Sequence, residues 1–271
     1  MSEDRICLCA LSGQIPDAGK IRTLKEELEQ NGLLVELCQS VSEEMEPAQK
    51  AEEFNKALRS NRYAWIIDVS TGDMANLLLP DLDYQAYADC AAYFAGFGDC
   101  TCIVNALAAC SGKKALLFSL LSQSDLSYAL ELLKTDQTRL SVTPCQQRPF
   151  SRHARICGGN VRCFLKLTQT GRMPDAGGGY LFLESRMGWY GLSSSLAHMA
   201  QAGVFENVRG IILGCFDRIE EQAGSREAGL ERIAKLIDSL AEEEMDFFRA
   251  DQIGSMAESK ALWISANGRK A

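Results

Sequence analysis

The chain has 271 residues, 46% of them apolar and 24% charged. At ~150 residues per domain that is one large domain or two modest ones, with the composition of a globular chain rather than a disordered one. Lys+Arg 28 against Asp+Glu 36 gives a net charge of −8, which leaves no general cationic field for a phosphate backbone and excludes nucleic acid as the expected partner.

The chain opens MSEDRICLCALSG, with acids ahead of a short apolar run, which is unlike a secretory signal. No apolar stretch approaches the ~20 residues needed to span a bilayer, so the expectation is a cytoplasmic protein with no membrane partner. Arg5–Leu11 reads as a strand ending at Ser12-Gly13, and Ile21, Leu24 and Leu28 then recur at helical spacing up to Asn31-Gly32, a helix-stop signal. A strand at Leu33–Cys38, a helix at Pro47–Leu58 and a nearly continuous apolar strand at Tyr63–Val69 follow. Next come a strand at Phe94–Phe97, a helix at Thr101–Cys110 and a strand at Lys114–Phe118. Short continuous apolar strands alternating with amphipathic helices predict βαβ units and a parallel sheet covered on both faces.

Beyond this the signal thins. A helix is predicted at Asp125–Leu133, and Thr143-Pro144 through Pro149 reads as a polar connector. The pattern resumes at Gly158-Gly159-Asn160, with strands at Gly179–Glu184 and Val208–Phe216 and a helix at Leu192–Gln201. A long charged helix over Ser225–Glu244 carries Leu230, Ile233, Leu236, Ile237 and Leu240 on one stripe. A last strand is expected at Ala261–Ser265. The division predicted is an α/β domain over 1–120, a linker over 121–155 and a smaller α/β domain over 156–271.

There are 11 cysteines and no CxxC. An odd count without export signals points to reduced thiols, and two histidines without paired cysteines make a poor zinc set. Cys7/Cys9 and Cys100/Cys102 are CxC pairs, a spacing that puts both side chains on one face of a strand.

Three loci follow strand ends, where parallel sheets place ligands: Ser70-Thr71-Gly72-Asp73, Gly96-Phe97-Gly98-Asp99 and Glu184. Each alone is weak. The Gly-x-Gly lacks the third glycine of a dinucleotide fingerprint, and a Glu closing an apolar strand is usually a boundary residue.

Order carries further. The stretches AEEFNKALRSNRYAWIIDVSTGDMANLLLPDLDY, FAGFGDCTCIVNAL, GGNVRCFLKL, YLFLES and LAHMAQAGVFENVRGIILGCF occur in that sequence along the chain. Together they resemble the LD-carboxypeptidase family, which includes peptidoglycan-recycling carboxypeptidases and microcin-immunity peptidases. The likeness runs from about Ile6 to Arg269, and its most distinctive pieces are Leu78–Tyr84, Gly158-Gly159-Asn160 and Ala202–Phe216. It implies an N-terminal parallel-sheet domain of the flavodoxin or amidotransferase type, a smaller C-terminal α/β domain, and a site between them. It also implies a cofactor-free Ser–His–Glu triad that cleaves an L,D-peptide bond of a murein tetrapeptide, and a homodimer. In such a triad the serine attacks the carbonyl, the histidine takes its proton and the glutamate orients the histidine.

The family's Gly-Tyr-Ser-Asp-x-Thr turn falls on Gly96–Thr101, which puts Gly98 at the nucleophile position. The acid is retained as Glu184, and the base position falls on Ser255. The family's Arg-Gly-Gly-Tyr-Gly loop is here Ser70-Thr71-Gly72-Asp73-Met74, without its cation and with an added acid. Ser70, Thr71, Gly72 and Asp73 together with Asp99 are the expected ligand-binding set. A hydrogen in place of a hydroxymethyl group cannot attack, and a serine cannot act as an imidazole near neutral pH. The expectation is therefore a non-hydrolytic member that binds a small peptide or muropeptide-like ligand. Two alternatives stay open: a hydrolase using another nucleophile, such as Cys100 at a helix start with His153 reaching the cleft, and a dimeric scaffold or partner subunit of an active paralogue. His198 is expected to serve packing or an interface.

Overall fold

The computed structural model describes residues 5–138, 140–145 and 149–268. Within it the alternating pattern of the first half forms a parallel sheet. Five strands lie side by side in the order Ala115–Leu117, Tyr93–Gly96, Trp65–Asp68, Arg5–Cys9, Leu34–Leu37. All four of these pairings are parallel, with Ile6 beside both Val35 and Trp65. Helices at Ala18–Gln30, Pro47–Ser60, Thr101–Ser111 and Ser127–Thr135 supply the cover. One apolar cluster gathers Phe54, Ile66, Phe94 and Val104, and another gathers Ile21, Leu28, Ile67 and Leu132. Apolar clusters on both faces are the reason the strands read as unbroken apolar runs.

The second half forms a parallel sheet of its own, in the order Phe247–Arg249, Gly210–Leu213, Tyr180–Glu184, Ile156–Asn160, with Thr143–Pro144 antiparallel at one edge. The two sheets do not divide the chain at one linker. The helix at Ser127–Thr135 packs Ala129, Leu132 and Leu133 into the first domain's core, whereas Thr143–Pro144 pairs into the second sheet. The last strand, Leu262–Ile264, runs back and adds antiparallel to Ala115–Leu117.

Most of the predicted helices and strands are present, most with bounds shifted by up to three residues. The charged helix is shorter than expected. It is capped by the Ser225 hydroxyl, which accepts from the Ala228 N–H at 3.1 Å, and it stops at Leu240. Leu230, Ile233 and Ile237 are buried, while Leu236 and Leu240 are only half-buried. Cys7 and Cys9 share a core face as their spacing requires, but Cys100 and Cys102 fall in helical turns.

The strand at Ile156–Asn160 was the hardest to foresee, because two of its five residues are glycines. Packing demands them. Gly158 and Gly159 have φ of +109° and +140°, and a Cβ would lie 2.1 Å from the Phe182 carbonyl oxygen at the first and 2.7 Å from Thr101 Cγ2 at the second. Their bareness lets the helix at Thr101–Ser111 press against the second sheet. Asn105 on that helix ties the contact, donating to the Gly158 carbonyl at 2.7 Å and accepting from the Gly158 N–H at 2.8 Å.

Candidate functional site

The carboxyl ends of both sheets' strands converge on a cavity of about 460 Å³. Ser12, Ser70, Gly98 and Ser119 come from turns after the first sheet's strands, and Asn160, Arg162 and Ser185 come from the second. The expected loci at Ser70–Gly72, Gly98 and Asp99 therefore face one space, as strand-end geometry requires.

Gly98 sits on a tight turn between Tyr93–Gly96 and the helix at Thr101–Ser111, with φ +58°. That is the left-handed region, which costs a residue with a Cβ ~1–2 kcal/mol. A Cβ built there meets nothing within 4 Å, so the turn holds open space where a side chain would project.

Glu184 ends its strand fully buried, outside the cavity lining. One carboxylate oxygen accepts from the Ser255 hydroxyl at 2.7 Å and from the Ser255 N–H at 3.2 Å. The other accepts from Asn160 Nδ2 at 2.8 Å. Burial pushes this carboxyl above the ordinary range, and the Ser255 and Asn160 hydrogen bonds oppose that rise. Glu184 and Ser255 are thus brought into direct contact, with the hydroxyl donating rather than waiting to accept a proton. Asn160 joins this pair to the cavity, which it lines. Its Oδ1 also accepts from the Cys163 N–H at 3.3 Å, capping a short helix at Val161–Leu165. The sequence reading used Asn160 only as part of a family motif. The one signal for a site role was its place directly after two glycines at a strand end.

The loop from Ser70 to Met74 is pinned at both ends. Ser70 Oγ donates to Asp68 Oδ1 at 2.7 Å and lies 2.9 Å from Ser12 Oγ. Thr71 and Gly72 pair antiparallel with Gln14 and Gly13. A Cβ on Gly72 would lie 1.9 Å from the Ser12 carbonyl oxygen, so this glycine is fixed by close approach. Buried Asp68 also accepts from the Leu11 N–H at 2.7 Å. Its burial raises the carboxyl, and hydrogen bonds from Leu11 and Ser70 oppose the rise.

Asp73 does not add free negative charge to the cleft. Its carboxylate is bound by Lys166 Nζ and, at 2.6 Å, by Arg162, and these bonds hold it below the usual carboxylate range. Lys166 also donates to Asp99 Oδ1 at 2.5 Å, and Asp99 Oδ2 accepts from the Ala75 N–H at 2.8 Å. Burial disfavours the Lys166 charge, but the bonds to Asp73 and Asp99 outweigh it and keep its pKa above the ordinary lysine range. Arg162 and Lys166 were not foreseen. They lie four residues apart, on the short helix at Val161–Leu165 and at its C-cap, among buried Val161, Cys163 and Phe164.

The groups the sequence offered as replacements, Cys100 and His153, are both outside the cavity lining. Cys100 is fully buried, and burial pushes its thiol well above the ordinary range, with nearby Asp68 adding to the effect. Both effects disfavour its thiolate form. His153 and His198 are both exposed, and neither lines the cavity. His153 precedes the amino end of the Ile156–Asn160 strand, whose carboxyl end faces the site. Among the described residues no group of three or more His, Cys, Asp or Glu side chains is gathered for a metal ion, and no helix is long and apolar enough to cross a membrane.

Comparison with known proteins agrees with the fold and adds to it. Residues 6–117 match the model of the LD-carboxypeptidase N-terminal domain, and residues 153–265 match that of the C-terminal domain. A Vibrio cholerae protein named as a carboxypeptidase is 24% identical over 74% of this chain and 70% of its own length. A muramoyltetrapeptide carboxypeptidase from Oxalobacter formigenes superposes with a TM-score of 0.74 at 18% identity, covering 98% of this chain and 100% of that one. MccF in complex with glutamyl sulfamoyl guanosine gives 0.76 at 17% identity over 98% and 92% of the two chains. An MccF-like protein from Bacillus anthracis gives 0.73 at 19% over 97% of each.

Proposed function

The chain belongs to the LD-carboxypeptidase family, and within it we propose a member that binds a short L,D-linked peptide in the interdomain cleft without hydrolysing it. The observation that carries this reading is the bonding of Glu184. The carboxylate that would orient a histidine is instead saturated by the Ser255 hydroxyl, the Ser255 N–H and Asn160. A hydroxyl donating to a buried carboxylate has no basic lone pair to offer an attacking group near neutral pH. Across the cleft, Gly98 has no side chain to be activated. Losing triad members that act as a unit can cost about a millionfold in turnover, which puts hydrolysis below any physiological rate.

The cleft nevertheless keeps what a ligand site needs. It is concave, lies at strand ends, and combines hydroxyls from Ser12, Ser70 and Ser185 with a guanidinium from Arg162. Ligand classes bound by relatives support a small polar occupant: one neighbour is a muramoyltetrapeptide carboxypeptidase, and MccF is seen with a glutamyl sulfamoyl nucleoside.

The test is to incubate the purified protein with an L,D-tetrapeptide, follow release of the terminal D-residue by mass spectrometry, and titrate the intact peptide by calorimetry. Saturable binding without release is expected. Release at a rate comparable with an active family member overturns the reading, as does failure to bind any such peptide.

A further inference from the structure

We infer that Arg162 is the carboxylate-recognition group of this cleft, and that Asp73 is a built-in carboxylate occupying it until a ligand's own carboxylate takes its place. The inference rests on the reading of the cleft as a peptide site and specifies which end of the peptide it reads.

Four charged groups join the two halves in a single network, Asp73 and Asp99 from the first and Arg162 and Lys166 from the second, and of these Asp99 and Arg162 line the cavity. Their roles separate by burial. Lys166 and Asp99 are 15% and 3% exposed, so removing Lys166 would strand a buried carboxylate. Arg162 and Asp73 are 50% and 62% exposed. Asp73 is paired with both Lys166 and the Arg162 guanidinium, and the exposed arm of that pairing, to Arg162, is worth little.

An incoming carboxylate can therefore replace Asp73 on Arg162, the exchange also releasing the Asp73 bond to Lys166. Arg162 keeps an anionic partner, Asp73 turns into water, and Lys166 stays neutralised by Asp99. No buried charge is left alone at any point. The guanidinium is also the group best shaped to hold a carboxylate by two hydrogen bonds. It lines the cavity with Gly98, Asp99 and Asn160, so a carboxylate held there shares one space with the Gly98 turn. A second cavity-lining cation, Arg186, is 68% exposed and lies 3.2 Å from Asp217, but its partner is outside the cleft loop and cannot act as an internal competitor.

The ligand class that follows is a short peptide with a free carboxyl terminus, and the probe is acetyl-L-alanyl-D-alanine set against its C-terminal amide. By calorimetry or ligand-detected NMR, the wild type should prefer the acid. Asp73→Asn should tighten the acid by roughly two- to fivefold, the worth of one exposed ion pair, and leave the amide unchanged. Arg162→Met should cost the acid about tenfold or more, as expected for a charged hydrogen bond, and abolish the preference. Equal binding of acid and amide in the wild type and in Asp73→Asn overturns the inference. So does loss of the preference in Arg186→Met instead of Arg162→Met, or absence of binding by both forms in Asp73→Asn. Hydrolysis of a tetrapeptide would refute the non-hydrolytic reading while leaving the acid preference standing. A peptide that binds without regard to its terminal charge would refute this inference alone.

Discussion

Gly98→Ser tests the geometry of the turn and the chemistry assigned to it in one variant. The backbone at this position has φ +58°, and placing a side chain in that region costs ~1–2 kcal/mol. Against this, replacing a glycine restricts the unfolded chain and returns ~0.4–1 kcal/mol. No contact term enters, because the new Cβ has nothing within 4 Å. The net cost is about 1 kcal/mol, which for a chain of this size lowers Tm by ~2–4 °C. Differential scanning calorimetry of the two proteins side by side reads that shift. A drop several times larger would mean that the turn is crowded and that the open space above Gly98 does not exist. The second readout is hydrolysis of an L,D-tetrapeptide. The new hydroxyl would face the cleft with no base beside it, since Ser255 donates to Glu184 at 2.7 Å. Gly98→Ser alone should stay inactive, and activity should appear only when Ser255→His is added. Turnover by the single variant would show that some other group accepts the proton, and the argument from Glu184 would fail.

Ser255→Ala removes a charged hydrogen bond from a buried carboxylate, a loss of about 1.5–3 kcal/mol. The cost should depend on pH in a definite direction. Burial raises Glu184 in the folded state, so the carboxyl's contribution to stability is present at low pH and is lost as pH rises through the folded value. Without the Ser255 hydroxyl the folded value rises further, so urea denaturation should find the variant mildly affected at about pH 4 and fully affected at about pH 8; a flat difference would contradict the contact. Lys166→Met should cost roughly 3–5 kcal/mol by stranding Asp99, whereas Arg162→Met should cost less than about 1 kcal/mol, and equal costs in chemical denaturation would show that the two cations are not divided as described. Iodoacetamide should label Cys110 and Cys145, both exposed, well before buried Cys100, as read by peptide mass spectrometry; early labelling of Cys100 would reopen it as a nucleophile.

Much of the first sheet was legible because its strands are buried on both faces, which writes an unbroken apolar run such as Trp65-Ile66-Ile67 into the chain. The second sheet was less so. Phe247–Arg249 has three residues and follows a run of acids at 242–244, too short for any periodicity to emerge. Ile156–Asn160 contains glycines that local preference assigns to a turn, and the reason for them lies in Phe182 and Thr101, residues distant in sequence. Leu262–Ile264 was recognisable as a strand, yet its destination in the first sheet was not, because pairing partners across the chain leave no local mark.

The site divides along the same line. A missing side chain is readable from a motif, so the resemblance assigns Gly98 and Ser255 to triad positions as an expectation, while the contacts around them are not written in the motif. What replaced the lost interactions could not be read there. Glu184 might have been left as an uncompensated buried charge, which would cost several kcal/mol; instead Ser255 and Asn160 supply three hydrogen bonds to it. Asp73 looked like an anion facing an anionic ligand until Arg162 and Lys166 were seen across the cleft. Both replacements are made by residues far along the chain that mean nothing except in contact. The same reasoning says why Glu184 is still a carboxylate with no histidine to orient. Its hydrogen bonds join the Ser255 turn of the second half to Asn160 at the cavity wall, and a neutral apolar residue there would leave the Asn160 and Ser255 donors unpaired in the interior.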